Sequence, residues 1–105
     1  MDIEELAAML RERVESAVAR GAPTPTKRAA FDLGPAGTLM LDGTARPPVV
    51  ATGAGGAADC TLTLSAGDLA AILGGELDPT GAFMTGRLKI AGDTGLAMQL
   101  ATLMG

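Results

Sequence analysis

Cys60 is the only thiol in the chain, and there is no histidine, tyrosine or tryptophan. A reactive thiol needs a site that stabilises its thiolate, and no cation near Cys60 in sequence supplies one, so it reads as a small hydrophobe on a strand. Without imidazole the usual proton shuttle and the commonest metal ligand are missing, which excludes Ser-His-Asp chemistry and histidine-bearing zinc sites. Asp2, Glu4 and Glu5 are clustered carboxylates, but ahead of an amphipathic run they read as a helix start rather than an acid/base pair. Gly53-Ala54-Gly55-Gly56 has the small residues of a phosphate loop but lacks the Lys-Ser/Thr that would follow, and reads as a plain loop. Arg87 and Lys89, two positions apart, read as a solvated strand face. No catalytic residue, metal or cofactor is expected.

The elements that must position these residues follow from periodicity. Asp2 with Glu5 three residues on is an N-cap pattern, and Ile3, Leu6, Ala7, Leu10, Val14, Ala17 and Val18 recur at helical spacing until Gly21, Pro23 and Pro25 end the run. The period then falls to two. Phe31 and Leu33 flank Asp32, Leu39 and Leu41 alternate with Thr38, Met40 and Asp42, and Cys60, Leu62 and Leu64 alternate with Thr61 and Thr63. Pro48-Val49-Val50-Ala51 fits an edge strand, and the short Gly/Pro-rich connections predict an antiparallel meander with one buried face. Ser65 and Asp68 repeat the cap pattern ahead of Leu69, Ile72 and Leu73, a helix closed by Gly74 and Gly75. Asp78-Pro79 opens a short helix through Phe83 and Met84, Arg87-Leu88-Lys89-Ile90 alternates as a last strand, and residues 94–105 form a final helix without a charged side chain. Such a helix is expected to cover something over most of its circumference, or to meet lipid or another chain.

At 105 residues the chain is one domain, residues 1–105, with one core. That core is built from small and flexible pieces: 48% of residues are hydrophobic, but they include 20 alanines and 6 methionines against 2 phenylalanines. A net charge of -4 and the scarcity of stacking rings argue against nucleic acid as a partner. The acidic start is unlike a signal peptide, no stretch approaches the roughly 18 apolar residues of a membrane span, and a cytoplasmic domain is expected.

The second half carries a longer pattern. Ala58-Asp59-Cys60-Thr61-Leu62-Thr63-Leu64-Ser65, Asp68-Leu69-Ala70-Ala71-Ile72-Leu73-Gly74-Gly75, and Ala82-Phe83-Met84-Thr85-Gly86-Arg87-Leu88-Lys89-Ile90-Ala91-Gly92-Asp93 followed by Gly95-Leu96-Ala97-Met98 together resemble the sterol carrier protein 2 domain. Phe31-Asp32-Leu33 and Thr38-Leu39-Met40-Leu41-Asp42-Gly43 match its first strands more loosely, so the resemblance covers nearly the whole chain. It implies an α+β fold, a five-stranded mainly antiparallel sheet with helices on one face and a hydrophobic tunnel between them. It also implies non-catalytic uptake and transfer or presentation of fatty acids, fatty acyl-CoA, phospholipids or sterol-like lipids. By the same carry-over the lining would be Leu41, Leu69, Ile72, Leu73, Phe83, Met84, Leu88, Ile90, Leu96, Met98, Leu100 and Met104, with Thr85, Arg87 and Lys89 as head-group contacts. Met84, Thr85 and Gly81 depart from an aromatic, a Gln and a Ser frequent in the family, which softens the wall and removes polar groups for a head. The alternative is an interaction module whose uncharged last helix forms a homodimer, docks on an enzyme or touches a membrane surface.

Overall fold

The computed structural model describes residues 2–53 and 56–104; Met1, Ala54, Gly55 and Gly105 lie outside them, so part of the expected 53–56 loop does too. Helix α1 (Ile3–Ala19) starts where Asp2 Oδ1 accepts the Glu5 amide at 2.9 Å. It ends in a Schellman closure, with the Gly21 amide donating to Val18 O and the Ala22 amide to Ala17 O. Leu6, Ala7, Leu10, Val14 and Ala17 are buried as the helical spacing predicts. Val18, counted in the same stripe, is 45% exposed, because the last turn overhangs the core.

Five strands follow in chain order: β1 (Arg28–Asp32), β2 (Thr38–Asp42), β3 (Val49–Thr52), β4 (Cys60–Thr63) and β5 (Lys89–Gly92). Their order across the sheet is β3-β2-β1-β4-β5. The pairs β1–β2, β2–β3 and β4–β5 are antiparallel, whereas β1 and β4 run parallel, with Ala29 opposite Cys60 and Phe31 opposite Leu62. The expected meander therefore stops at β3, and residues 53 to 59 carry the chain to the far side of β1. Alternation tells which face a residue takes, but not which strand it lies beside. The crossing is pinned at both ends. Gly53 donates its amide to Thr38 O at 2.7 Å, and Asp59 donates its amide to Arg28 O at 2.8 Å while its carboxylate accepts the Arg28 amide at 3.0 Å.

Ala29, Phe31, Leu39, Leu41, Val50, Cys60 and Leu62 point to the helical face of the sheet and are all buried. At the β3 edge, the Arg11 guanidinium forks onto the Val50 carbonyl at 3.0 and 3.2 Å. The Arg46 guanidinium likewise gathers the Pro25 and Gly43 carbonyls at 2.9 and 2.5 Å. At the other edge, β5 ends on Gly92 at φ +97°, where a Cβ would also run into the Asp59 carbonyl oxygen.

The remaining helices are α2 (Ala66–Leu73), α3 (Pro79–Met84) and α4 (Thr94–Met104). Ser65 caps α2 through the Asp68 amide at 3.0 Å, and Asp78 caps α3 through the Gly81 amide at 3.0 Å with Pro79 in the first turn. For α4, Asp93 accepts the Leu96 amide at 3.1 Å, and Lys27 Nζ meets its other oxygen at 2.6 Å. Helix α4 turns Leu96, Ala97, Leu100, Leu103 and Met104 into the core. Its outer face is uncharged yet exposed, so this helix is one-sided and does not bury most of its circumference. None of the helices is long and apolar enough to cross a membrane among the described residues.

Candidate functional site

Between the helical face of the sheet and α4 lies an apolar cleft of about 370 Å³. Leu62 of β4, Leu88 and Ile90 form its sheet side, Pro79, Thr80 and Phe83 of α3 one wall, and Thr94, Ala97, Met98, Ala101 and Met104 of α4 the other. Two threonines are the only polar side chains among these residues, and none is charged. Leu62, Leu88, Ala97 and Met104 are buried, while Phe83 is 51% and Met98 73% exposed. The cleft is thus floored by core residues and rimmed by apolar ones that face water.

Local sequence explains why space is left there. Along α4 the core stripe is Leu96, Leu100 and Leu103, and on the adjoining flank the chain places Ala97 and Ala101, four residues apart and so one above the other. A larger residue at either position would fill the volume. Helix α3 ends at Met84 and is too short to close over it; past its cap the Gly86 amide donates to Phe83 O and the Arg87 amide to Ala82 O.

Of the polar residues expected to contact a head group, Arg87 and Thr85 are engaged within the protein and Lys89 faces away from the cleft. Arg87, expected on the strand beside Lys89, lies before β5, and its Nη2 meets Asp68 Oδ1 of α2 at 2.6 Å. Lys89 is exposed on β5, opposite Thr63, on the sheet face away from the helices. The Thr85 hydroxyl donates back to Gly81 O at 3.0 Å. Cys60 is buried, and burial pushes its thiol up from the ordinary range, with the Asp93 carboxylate adding to the effect, so it is held as the neutral thiol. No group of three or more His, Cys, Asp or Glu side chains is gathered for a metal among the described residues.

A second depression, of about 400 Å³, runs between α1 and the segment before β3, along Val14, Val18, Pro47, Pro48 and Val49. It lies at the opposite sheet edge, and the Arg11 on its wall is spent on the Val50 carbonyl. The cleft under α4 differs from it in lying between α3, α4 and the β4–β5 side of the sheet, with no charged residue in its lining.

Comparison with known proteins decides the family. The profile of the SCP-2 sterol transfer family matches residues 6–105. The chain belongs to that family. The SCP-2 assignment agrees with sequence relatives: 52% identity over 46 residues to sterol carrier protein 2 of Rattus norvegicus, covering 44% of this chain and 8% of that protein. Hydroxysteroid dehydrogenase-like protein 2 of Danio rerio is 40% identical over 62 residues, 59% of this chain and 13% of that protein. The chain therefore spans a small part of the length of the curated relatives it matches. Among solved structures, the sterol carrier protein domain 2 of Helicoverpa armigera aligns with a TM-score of 0.75 at 28% identity, over 95% of this chain and 83% of that one. Palmitated SCP2L2 from Aedes aegypti aligns at 0.78 and 23% identity, over 99% and 95%, which shows the shared fold.

Of the lining residues expected from the SCP-2 resemblance, the structure brings Phe83, Leu88, Ile90, Met98 and Met104 to the cleft. Leu41, Leu69, Ile72, Leu73, Leu96 and Leu100 are packed in the core away from it, because long aliphatic side chains on the inner stripes fill the space they point into. Met84 is 80% exposed and points away, since consecutive helical residues diverge by about 100°. Leu62, Pro79, Thr80, Thr94, Ala97 and Ala101 complete the lining without having been expected. The paired alanines of α4 carried a readable signal, small residues at i and i+4 beside an aliphatic stripe. Leu62 and Pro79 carried none apart from the topology.

Proposed function

We propose that this domain binds and passes on, without altering it, the apolar part of a lipid: a fatty acid, fatty acyl-CoA, phospholipid or sterol-like molecule, seated in the cleft under α4. The observation that carries the reading is a cleft of about 370 Å³ with no charged side chain in its lining and with Phe83 and Met98 held open to water. Leaving rings and thioethers exposed costs stability that burial would regain, and an alkyl chain laid on them recovers about 0.8 kcal/mol per methylene. The names of the sterol carrier relatives and membership of the SCP-2 family support the same ligand class. The absence of a buried cation at the rim favours discrimination by the apolar part over discrimination by the head.

Thermal unfolding with and without long-chain fatty acids tests this. At a free ligand concentration about tenfold above Kd the folded state gains about 1.4 kcal/mol. For a 105-residue domain this raises Tm by about 6 °C. No shift with any chain length, together with no lipid carried through purification as seen by native mass spectrometry, removes the proposal.

A second reading has its own observation. The exposed face of α4, with Thr94, Met98, Gln99 and Thr102, bears no charge and continues into the cleft rim, which suits contact with a second copy or a membrane surface. Sedimentation separates the two, since a strict monomer that binds lipid rules against the dimer.

A further inference from the structure

Arg13, on α1, reaches out of its own helix to two others. Its Nη1 donates to the carbonyl of Met104 at 2.5 Å and its Nη2 donates to the carbonyl of Leu73. Leu73 and Met104 are the last residues of α2 and α4, where carbonyls have no amide of their own helix to receive. In α2 the accounting is complete: Ala70, Ala71 and Ile72 carbonyls are taken by the amides after the helix, and the Leu73 carbonyl is left to Arg13. Two helix C-termini, each carrying partial negative charge, thus converge on one planar cation whose fork serves both at once.

Met104 is also the most deeply buried of the α4 residues along the cleft, 1% exposed, at the far end from Thr94. Thr94 and Met104 bound a strip of α4 about 15 Å long. We infer that Arg13 is a positioning residue for the lipid site: by clamping the last turn of α4 it holds Met104 as the stop of the cleft, and so sets the longest alkyl chain the domain accepts. This rests on the cleft being the lipid site. The residue touches no ligand. Its effect is on where the cleft ends, because a frayed final turn would let the Met104 side chain leave and the volume run on past it. A lysine cannot replace it, having one ammonium point where two carbonyls need a fork.

The test is a binding series with saturated fatty acids from octanoic to stearic acid, used below their aggregation limits, on the wild type, Arg13→Met and Met104→Ala. In the wild type, affinity rises about fourfold per methylene up to a cut-off and then stops rising. In Arg13→Met and in Met104→Ala the cut-off moves to the next even-numbered homologue, whose two added methylenes gain about sixteenfold over its wild-type affinity. Amide exchange adds a second readout: in Arg13→Lys the amides of residues 100 to 104 exchange about tenfold faster while those of residues 94 to 97 do not change. Wild-type cut-offs in variants that still bind overturn the clamp and leave the lipid site standing, whereas no binding of any homologue by the wild type overturns both. If Arg13→Met does not fold, Met104→Ala and the exchange in Arg13→Lys decide, and an unmoved cut-off or unchanged exchange overturns the inference.

Discussion

Phe83 and Met84 are neighbours in sequence, both exposed and both apolar, and the structure sets the first on the cleft and the second off it. Phe83 is 51% exposed and lies on the cleft, while Met84 is 80% exposed and does not. A phenylalanine presents about 200 Å² of side-chain surface. The exposed half is then about 100 Å², worth about 2.5 kcal/mol at 25 cal/mol per Å² when an alkyl chain covers it. Alanine keeps the Cβ share, so Phe83→Ala is expected to lose about 2 kcal/mol of binding, about thirtyfold in Kd. Met84→Ala is a surface change of about 0.5 kcal/mol or less, within about twofold. Displacement of a fluorescent fatty acid measures both, and with no Trp or Tyr in the chain there is no indole or phenol emission beneath the probe. Equal losses for the two variants, or no loss for Phe83→Ala while the wild type binds, would refute the placement of the cleft.

Leu100 is fully buried and lies off the cleft, so Leu100→Ala is expected to lower stability by about 2–5 kcal/mol in denaturant titration, while the folded fraction keeps its affinity. Gly92→Ala combines an unfavourable φ of +97° with a collision against the Asp59 carbonyl, and is expected to destabilise more than Gly53→Ala, where φ is +96° but the space is open; chemical melts of the pair give the difference. Lys27 and the Leu96 amide hold the Asp93 carboxyl below its usual 3.8. Its contribution is therefore complete above about pH 4 and lost as pH falls through the depressed value, so wild-type Tm should drop more steeply in that acid range than that of Asp93→Asn. Asp42, held low by the Thr44 hydroxyl, titrates in the same window, and is common to both proteins in that comparison.

Helix existence, caps and ends were legible because single residues decide them: Asp2, Ser65 and Asp78 each accept an amide three residues on, and Gly21 and Gly75 each supply the left-handed turn that closes a helix. The buried faces of β2 and β4 were legible from Leu39, Leu41, Cys60 and Leu62, since alternation is a property of one strand. The parallel partnership of β1 and β4 was not, because the ladder joins residues 31 positions apart, such as Ala29 and Cys60, and no local pattern records so distant a partner. For the cleft, family resemblance pointed to Phe83, Leu88, Ile90, Met98 and Met104, which line it, and also to β2, α2 and the inner stripe of α4, which do not. Phe83 and Met84, or Met98 and Leu100, differ only in helical phase, and which phase meets a space depends on how α3 and α4 lie on the sheet.

The parallel pairing at the centre of the sheet also sets an order of assembly. Strand β1 gains its second neighbour only when β4 has been made, and β4 gains its own only with β5, so every fragment that stops short of Gly92 has an unpaired strand in the middle or at the end of an incomplete sheet. Closing a contact between Ala29 and Cys60 carries the loop entropy of about thirty residues before any packing rewards it. Within the domain, Ile90 and the whole of α4 are made after the other four strands, and they form two sides of the cleft. The site that would take up a lipid is therefore the final part of the domain to be synthesised, and a nascent chain has no cleft to load until the rest of its sheet has already been made.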